Sequence, residues 1–352
     1  MNIRLKPKPT QKTSKPATGA VVKIEMVAQA AGVSASTVSR ILNGTAVVSE
    51  VKKKAVDEAI AKLGFVPNPM ARGLAGGRTL SVGIVTQSVD SPFYGGAMRG
   101  IEEALDAAGY SPLFVSGHWN AEEEARCIDV LRSRRVDGVI VLTGRLSDQA
   151  LRAYAKALPV VVTGRSLRSA PGLYALNFDN FEGGRLATLH LLELGHRRIA
   201  FIAGDPGHPD SNERHRGYCA ALESAGVAYD PALVVQGDYQ EESGRRAIEQ
   251  LLDQRRRFTA VFAANDQMAL GAALGLYRRS MRVPNDISLI GFDDLQASAY
   301  ALPPLTTVHH PAGEIGRLAA AAMLQLLRGE KPHVVVPAPS VIVRESTWVS
   351  MV

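Results

Sequence analysis

Residues 34–43 read SASTVSRILN, a run that places hydroxyl donors and one guanidinium along a short helix. Such groups suit hydrogen bonds to base edges and phosphate oxygens, and the small residues between them permit close approach in a DNA major groove. Ser34, Ala35, Ser36, Thr37, Ser39, Arg40 and Asn43 are therefore the candidate DNA contacts of this segment. A core helix would not spend so many positions on small polar groups. Two short helices and a turn must position them. Ala28 is small enough for close helix packing, Gly32 serves the turn, Val38 and Ile41 tie the second helix to the first, and Ser34 is its cap. This spacing predicts a helix-turn-helix over 24–43, with an ordinary helical hairpin as the competing reading.

Charge favours the first reading. Residues 1–80 hold 13 Lys and Arg against 4 Asp and Glu, a net of +9, whereas residues 81–352 hold 27 against 30, a net of −3. The positive excess lies wholly on the segment that carries the helix-turn-helix, as phosphate neutralisation by one module requires. Arg4, Lys6, Lys8, Lys12 and Lys15 stand among Pro, Thr and Ser, which predicts a disordered basic arm over 1–21, either an accessory DNA contact or a solvated tail. Behind Ser49 as a cap, Val51, Ala55, Ala59 and Leu63 recur at helical spacing and predict a third helix, closing a headpiece over 22–67. Lys52, Lys53 and Lys54 oppose the dipole in its first turn and are read as facing phosphate, with simple solubility as the competing reading. Asn68-Pro69 then breaks the chain, and the hinge segment 68–78 has room for one or two helical turns, marginal alone in water. Its Leu74 is read either as a wedge for a minor-groove step or as a routine linker residue.

With 352 residues, 46% of them hydrophobic, the chain has material for two to three structural units. It has no apolar stretch of membrane-spanning length and no apolar run behind its first positive charges, so neither a membrane span nor a signal peptide is expected, and the location is cytoplasmic. Cys127 and Cys219 lie far apart with no CxxC and no histidine cluster, which implies reduced thiols and no metal site. Walker A, GxSxG, HExxH and nucleophile-base motifs are missing from the sequence, so an enzyme is not expected, nor a cofactor.

From Leu80 onward short apolar runs alternate with amphipathic stretches. Strands are expected over 80–86, near 112–115 and over 137–142, with helices near 95–109 and 121–134, and the rhythm restarts at 199–204, 234–238, 259–266 and 287–294. This is the βαβ pattern of a parallel sheet, given twice, and two such halves hold a ligand between them at the carboxyl ends of their strands.

The residues Met26-Val27-Ala28, Gly32-Val33-Ser34, Thr37-Val38-Ser39-Arg40, Leu63-Gly64-Phe65, Pro67-Asn68 and Ala71-Arg72 resemble the LacI/GalR family of transcriptional regulators. Leu194-Gly195-His196, Ala264-Asn265-Asp266, the run LIGFDD at 289–294 and Pro304-Leu305-Thr306-Thr307 are similar to it in order and spacing, so the resemblance extends from 22 to about 347. It implies an α/β chain with a three-helix headpiece and hinge helix, followed by two Rossmann-like parallel-sheet subdomains of the periplasmic-binding-protein type over 79–352. The first half would take 79–178 and 311–338, the second 179–310 and 339–352. The resemblance adds Asn68, Ala71 and Leu74 to the DNA contacts. It further implies a homodimer on a pseudo-palindromic operator, with paired hinges in the minor groove.

For the cleft, the resemblance implies a small-molecule effector held by Asp293, which would accept from vicinal hydroxyls, and by Arg214, whose fork suits paired oxygens. The competing reading of Arg214 is a surface salt bridge, and Asp294 is read as a helix N-cap. Asn265, Asp179 and Tyr239 match ligand-facing family positions. Phe93 and Tyr94 are either stacking faces for a pyranose or purine, or core. His208 and Asp210 stand where purine-responsive members carry arginine and threonine, which speaks against a purine. Carboxylates, an amide, a guanidinium and aromatic faces together suit a neutral polyol, so the expectation is a repressor of a carbohydrate operon released by a sugar or glycoside. The alternatives are a purine- or nucleoside-responsive regulator using a corepressor and a solute-binding protein, which would need a signal peptide and no headpiece.

Overall fold

The computed structural model of the chain describes residues 22–42, 48–66, 78–168 and 170–350. They fall into two compact units, divided between Thr79 and Leu80. In the smaller unit α1 (Ile24–Ala31) stops at Gly32, whose φ of +65° is a left-handed cap that favours glycine. The second helix α2 (Ala35–Leu42) starts where Ser34 Oγ accepts the Thr37 N–H at 3.2 Å, and α3 (Glu50–Leu63) closes over both. Val27, Ala28, Val38, Val56 and Ala59 form the core.

Two expectations for α3 are corrected. Its inward stripe is Val56, Ala59, Ile60 and Leu63, while Val51 is 79% exposed. At 100° per residue Val51 lies about 130° around the helix from that stripe, so a pattern begun at Val51 is out of phase with the core. Ser49 occupies the N-cap position but makes no side-chain cap bond. Asn43, Asn68, Ala71, Leu74, the arm 1–21 and the hinge up to residue 77 lie outside the described residues.

The larger unit opens with β1 (Ser81–Thr86), α4 (Pro92–Ala107), β2 (Ser111–Ser116), α5 (Ala121–Ser133), β3 (Gly138–Val141), α6 (Asp148–Ala155), β4 (Val160–Thr163) and β5 (Leu173–Leu176). Its strands form a parallel sheet in the order β2-β1-β3-β4-β5. There follow α7 (Asn180–Glu193), β6 (Ile199–Ala203), α8 (Pro209–Ser224), β7 (Val234–Gln236), α9 (Glu241–Asp253), β8 (Ala260–Ala263), α10 (Asp266–Arg278), β9 (Ser288–Asp293) and β10 (Thr306–His309). With β11 (Ser340–Ile342) they make a second sheet, ordered β11-β10-β9-β8-β6-β7, in which only the β10 and β11 pair is antiparallel. Strands β3, β4, β6, β8 and β9 are buried along their whole length, as expected where helices cover both faces.

Between β10 and β11 the chain returns to the first half, where α11 (Ala312–Leu327) packs on α4. The approach is so close that a Cβ added to Gly100 would overlap the Gly313 carbonyl oxygen, and one added to Gly316 would overlap that of Ala97. Gly100→Ala is expected to lower stability by about 1–3 kcal/mol through overpacking. Thermal unfolding measures this, and an unshifted midpoint would mean that the two helices part without cost.

Candidate functional site

Two surfaces carry chemistry, one in each unit. On α2 the Ser34 hydroxyl lies 2.9 Å from Ser36 Oγ and 2.8 Å from Thr37 Oγ1, and Arg40 Nε donates to the Ser36 carbonyl at 3.3 Å. Ser34, Ser36 and Arg40 are exposed, while Thr37 and Ser39 are half-buried at the rim. Ala35 was expected to face outward; it is half-buried against the headpiece core, because a residue three before the fully buried Val38 shares its face.

In the larger unit a cleft of about 330 Å3 lies at the carboxyl ends of both sheets. Phe93, Tyr94 and Trp119 line it from the first half, and His208, Asp210, Arg214, Tyr239, Asn265 and Asp293 from the second. Arg214, on α8, is only 4% exposed, which excludes the surface salt bridge. Its Nε donates to Asn180 Oδ1 at 2.9 Å and its Nη1 to the Ala264 carbonyl at 2.5 Å, and Nη2 stands 3.5 Å from Asp293 Oδ1. The guanidinium carbon lies 3.7 Å from the centroid of the Phe292 ring. Asp293 closes β9 with φ +109°, a left-handed backbone that turns its carboxyl into the cleft, and His310 Nδ1 lies 3.4 Å from it. Burial pushes the Asp293 carboxyl up to about 7, although Arg214 draws it the other way. Burial likewise holds His310 well below its ordinary value, and it raises Asp210 against the pull of Arg214 and His310. The result is a cation fixed by the protein's own acceptors, beside carboxyl groups whose proton is held more firmly than in water.

Asp179 and Asp294 are placed differently from expectation, and Asn265 is in the cleft as expected but also bonded to backbone. Asn265 lines the cleft, but its carbonyl caps α10 by accepting the Met268 N–H at 2.9 Å and its amide donates to the Tyr239 carbonyl at 2.9 Å. Its visible work is to hold Tyr239, whose φ is +71°. Asp179 is exposed, caps α7 through the Glu182 N–H at 2.9 Å, and faces a neighbouring hollow, whereas Asn180 reaches Arg214. Asp294 is not a helix cap: it pairs with His309 at 2.8 Å and with Arg344 at 2.6 Å, because the backbone after β9 turns toward β10 and the C-terminal segment.

Sequence reasoning passed over several groups that shape the cleft. Gln87, after β1, accepts the Trp119 N–H at 2.9 Å and donates to the Leu142 carbonyl at 3.3 Å. Glu124 is fully buried and receives the N–H groups of Arg145 at 2.8 Å and Leu146 at 3.0 Å, which shapes the loop after β3; burial raises its carboxyl. Asp266 accepts from Ser298 and Thr307 hydroxyls at 2.6 Å each and from the Leu295 N–H at 2.8 Å, and burial pushes it up to about 7. The adjacent Asn265-Asp266 pair was the available signal for this last one. Across the cleft, Arg145 of the first half meets Asp205 of the second at 3.0 Å.

Among the described residues no group of His, Cys, Asp and Glu is placed to hold a metal ion, and no helix is long and apolar enough to cross a membrane. Cys127 and Cys219 are free thiols.

The chain matches the family of bacterial regulatory proteins, lacI family, over residues 23–68, and a periplasmic binding protein-like domain over 188–347. It is 35% identical to the HTH-type transcriptional repressor PurR of Yersinia pestis (strain Pestoides F), a match covering 92% of this chain and 96% of that protein. Among solved structures, the transcriptional regulator CelR in complex with cellobiose is 37% identical, covers 92% of this chain and 99% of its own, and superposes with a TM-score of 0.69. The lac repressor dimer bound to operator and the anti-inducer ONPF is 29% identical over 94% of this chain and 100% of its own, with a TM-score of 0.83. A headpiece built to present donors, an α/β unit with a buried charged cleft and these matches lead to one assignment: the chain belongs to the lacI family of bacterial regulatory proteins and is a DNA-binding transcriptional repressor, not an enzyme.

Proposed function

We propose that the effector is a sugar or glycoside, and that its binding releases a cytoplasmic homodimer from a pseudo-palindromic operator in a carbohydrate-utilisation operon. The observation that carries this reading is the composition of the cleft. Arg214, Asp210 and Asp293 supply a donor and acceptors for vicinal hydroxyls, while Phe93, Tyr94, Trp119 and Tyr239 bring flat apolar faces for the C–H side of a pyranose. The likeness to CelR, solved with cellobiose, supports it. An anionic sugar phosphate fits less well, since four aspartates, Asp205, Asp210, Asp238 and Asp293, line the same cleft.

A purine corepressor is the second reading, favoured by the likeness to PurR and by the same aromatic faces, which stack on a base equally well. In either case the sign of the response follows from which arrangement of the two halves the ligand stabilises, with a coupling of about 1–3 kcal/mol. The test is fluorescence-anisotropy titration against the upstream region of the protein's own gene, repeated with mono- and disaccharides, β-glucosides and purines. Specific binding released by a saccharide is the expected result. Binding that tightens with a purine and ignores saccharides overturns the sugar reading.

A further inference from the structure

His208 lies flat on Trp119, with ring centroids 3.6 Å apart and planes 22° from parallel, and its other face is turned to Tyr239 at 5.3 Å and 16°. Trp119 belongs to the first half, His208 and Tyr239 to the second, so three rings form a stack across the cleft. The platform is built at some cost. His118 and Trp119 both take left-handed φ values, +49° and +55°, which non-glycine residues seldom adopt and which concentrate at functional sites. Gln87 pins the backbone there through the Trp119 N–H. On the far side, a Cβ added to Gly204 would overlap the Tyr239 ring, so that ring's place is kept clear by the absence of a side chain.

The occupant of the stack is buried, and ring contacts with Trp119 and Tyr239 hold it. The nearest acid to the His208 ring, Asp205, stands 3.7 Å away, beyond hydrogen-bond reach, and although His208 is the N-cap residue of α8 its side chain makes no cap bond. The Tyr239 hydroxyl is buried with no partner at full hydrogen-bond distance; the Ser211 hydroxyl stands near it but already donates to the Gly204 carbonyl at 2.8 Å. A buried hydroxyl left unmatched costs free energy that an incoming polar group recovers. The site thus has a flat platform, a ring resting on it without a polar anchor, and a buried hydroxyl in want of a partner.

We propose that Trp119 is the stacking platform for a ring of the effector, and that His208 is its resident competitor, displaced when a pyranose or aryl ring of a hydroxylated ligand enters and bonds to Tyr239. This rests on the sugar reading above and goes past it, in that it names the surface that takes the ring and the side chain that must leave. Displacement also exchanges a contact between the halves for one made through the ligand.

The test uses the full-length protein with Trp348→Phe, which leaves Trp119 as the single tryptophan of two. Cellobiose, methyl glucoside, an aryl β-glucoside and hypoxanthine are titrated by calorimetry and by Trp119 emission. Binding is expected to change that emission. His208→Ala is expected to tighten saccharide binding tenfold or more, His208→Phe, which keeps a flat ring in place, to weaken it, and Trp119→Ala to weaken it at least tenfold.

A pH profile adds a readout that mere packing does not move. Burial holds His208 down to about 4, against Asp205, which raises it, and together with Arg145 and Arg214, which lower it. Once displaced into solvent the imidazole regains a value near 6.5. Protonation then favours the liganded form, so wild-type affinity should rise as pH falls from about 6.5 toward 4, relative to His208→Ala. Asp210 and Asp293 titrate in the same cleft in both proteins, so the difference isolates His208. Saccharide binding with unchanged Trp119 emission and unaltered affinity in both His208 variants overturns the displacement and leaves the sugar reading standing. No saccharide binding to the wild type overturns the sugar reading and this inference with it.

Discussion

Arg214→Ala is expected to lower the stability of the larger unit by about 3–5 kcal/mol, the range for removing one partner of a buried ion pair, and to abolish the response to effector. The side chain is 4% exposed and serves Asn180 Oδ1, the Ala264 carbonyl and Asp293 at once, with Phe292 beneath it. Alanine leaves those acceptors facing a void. Lysine is not expected to rescue it, because one ammonium cannot reproduce a planar fork that stacks and donates in three directions. The loss should depend on pH. Asp293 is held at about 7 by burial, so the folded form keeps its proton more firmly than the unfolded chain does, and this group's contribution makes stability fall as pH rises between about 4 and 7. Without the guanidinium the carboxyl rises further, and the decline extends above neutrality. Urea unfolding at pH 5 and pH 8 is the measurement. Wild-type midpoints at both values would remove Arg214 from the centre of the site.

Arg214 was legible in the sequence through the family likeness, since a cation in the segment after β6 must find acceptors or solvent and the likeness says which; the structure places it in the second turn of α8, which starts at Pro209. What escaped was set by backbone turns that periodicity does not encode. Trp119 sits between β2 and α5 with no pattern around it; its role depends on two left-handed residues and on a histidine from the other half of the cleft. Asp179 and Asn180 show how narrow the margin is. At a strand-to-helix junction one residue turns the side chain by about 100°, enough to exchange the buried Arg214 for solvent. In the same way a stripe on α3 that begins at Val51 runs out of phase with Val56 and Ala59. The doubled sheet was easier, since strands buried on both faces appear as unbroken apolar runs. Strands β4 and β5 were not expected, although β4 is an apolar run as fully buried as β3 and β8, and β5 is half-buried at two of its four positions.

Asn265 lies in the cleft where the sequence placed it, and both ends of its amide are also used on backbone, one at the start of α10 and one at Tyr239, so it holds the aromatic wall in place as well. Replacing it should therefore move Tyr239 first.

Arg40→Ala is expected to remove most of the preference for operator over unrelated DNA while leaving nonspecific affinity almost unchanged. A bidentate arginine-guanine contact carries about 1–3 kcal/mol of discrimination, so operator affinity should fall by roughly 5- to 150-fold. Arg40 is exposed in the last turn of α2, where its charge also suits the helix dipole, and its Nε is steadied by the Ser36 carbonyl at 3.3 Å. The exposed Ser36 hydroxyl shares that helix, and the exposed Ser34 hydroxyl lies just before its first residue. The basic run Lys52, Lys53 and Lys54 at the start of α3 supplies the contrast. Alanine at those positions should weaken both kinds of DNA alike and flatten the salt dependence by up to about one unit of slope for each phosphate no longer neutralised. Anisotropy titrations on operator and scrambled duplexes at two salt concentrations separate the two behaviours. An equal loss on both duplexes with Arg40→Ala would place that guanidinium on the phosphate backbone and return base reading to the hydroxyls beside it.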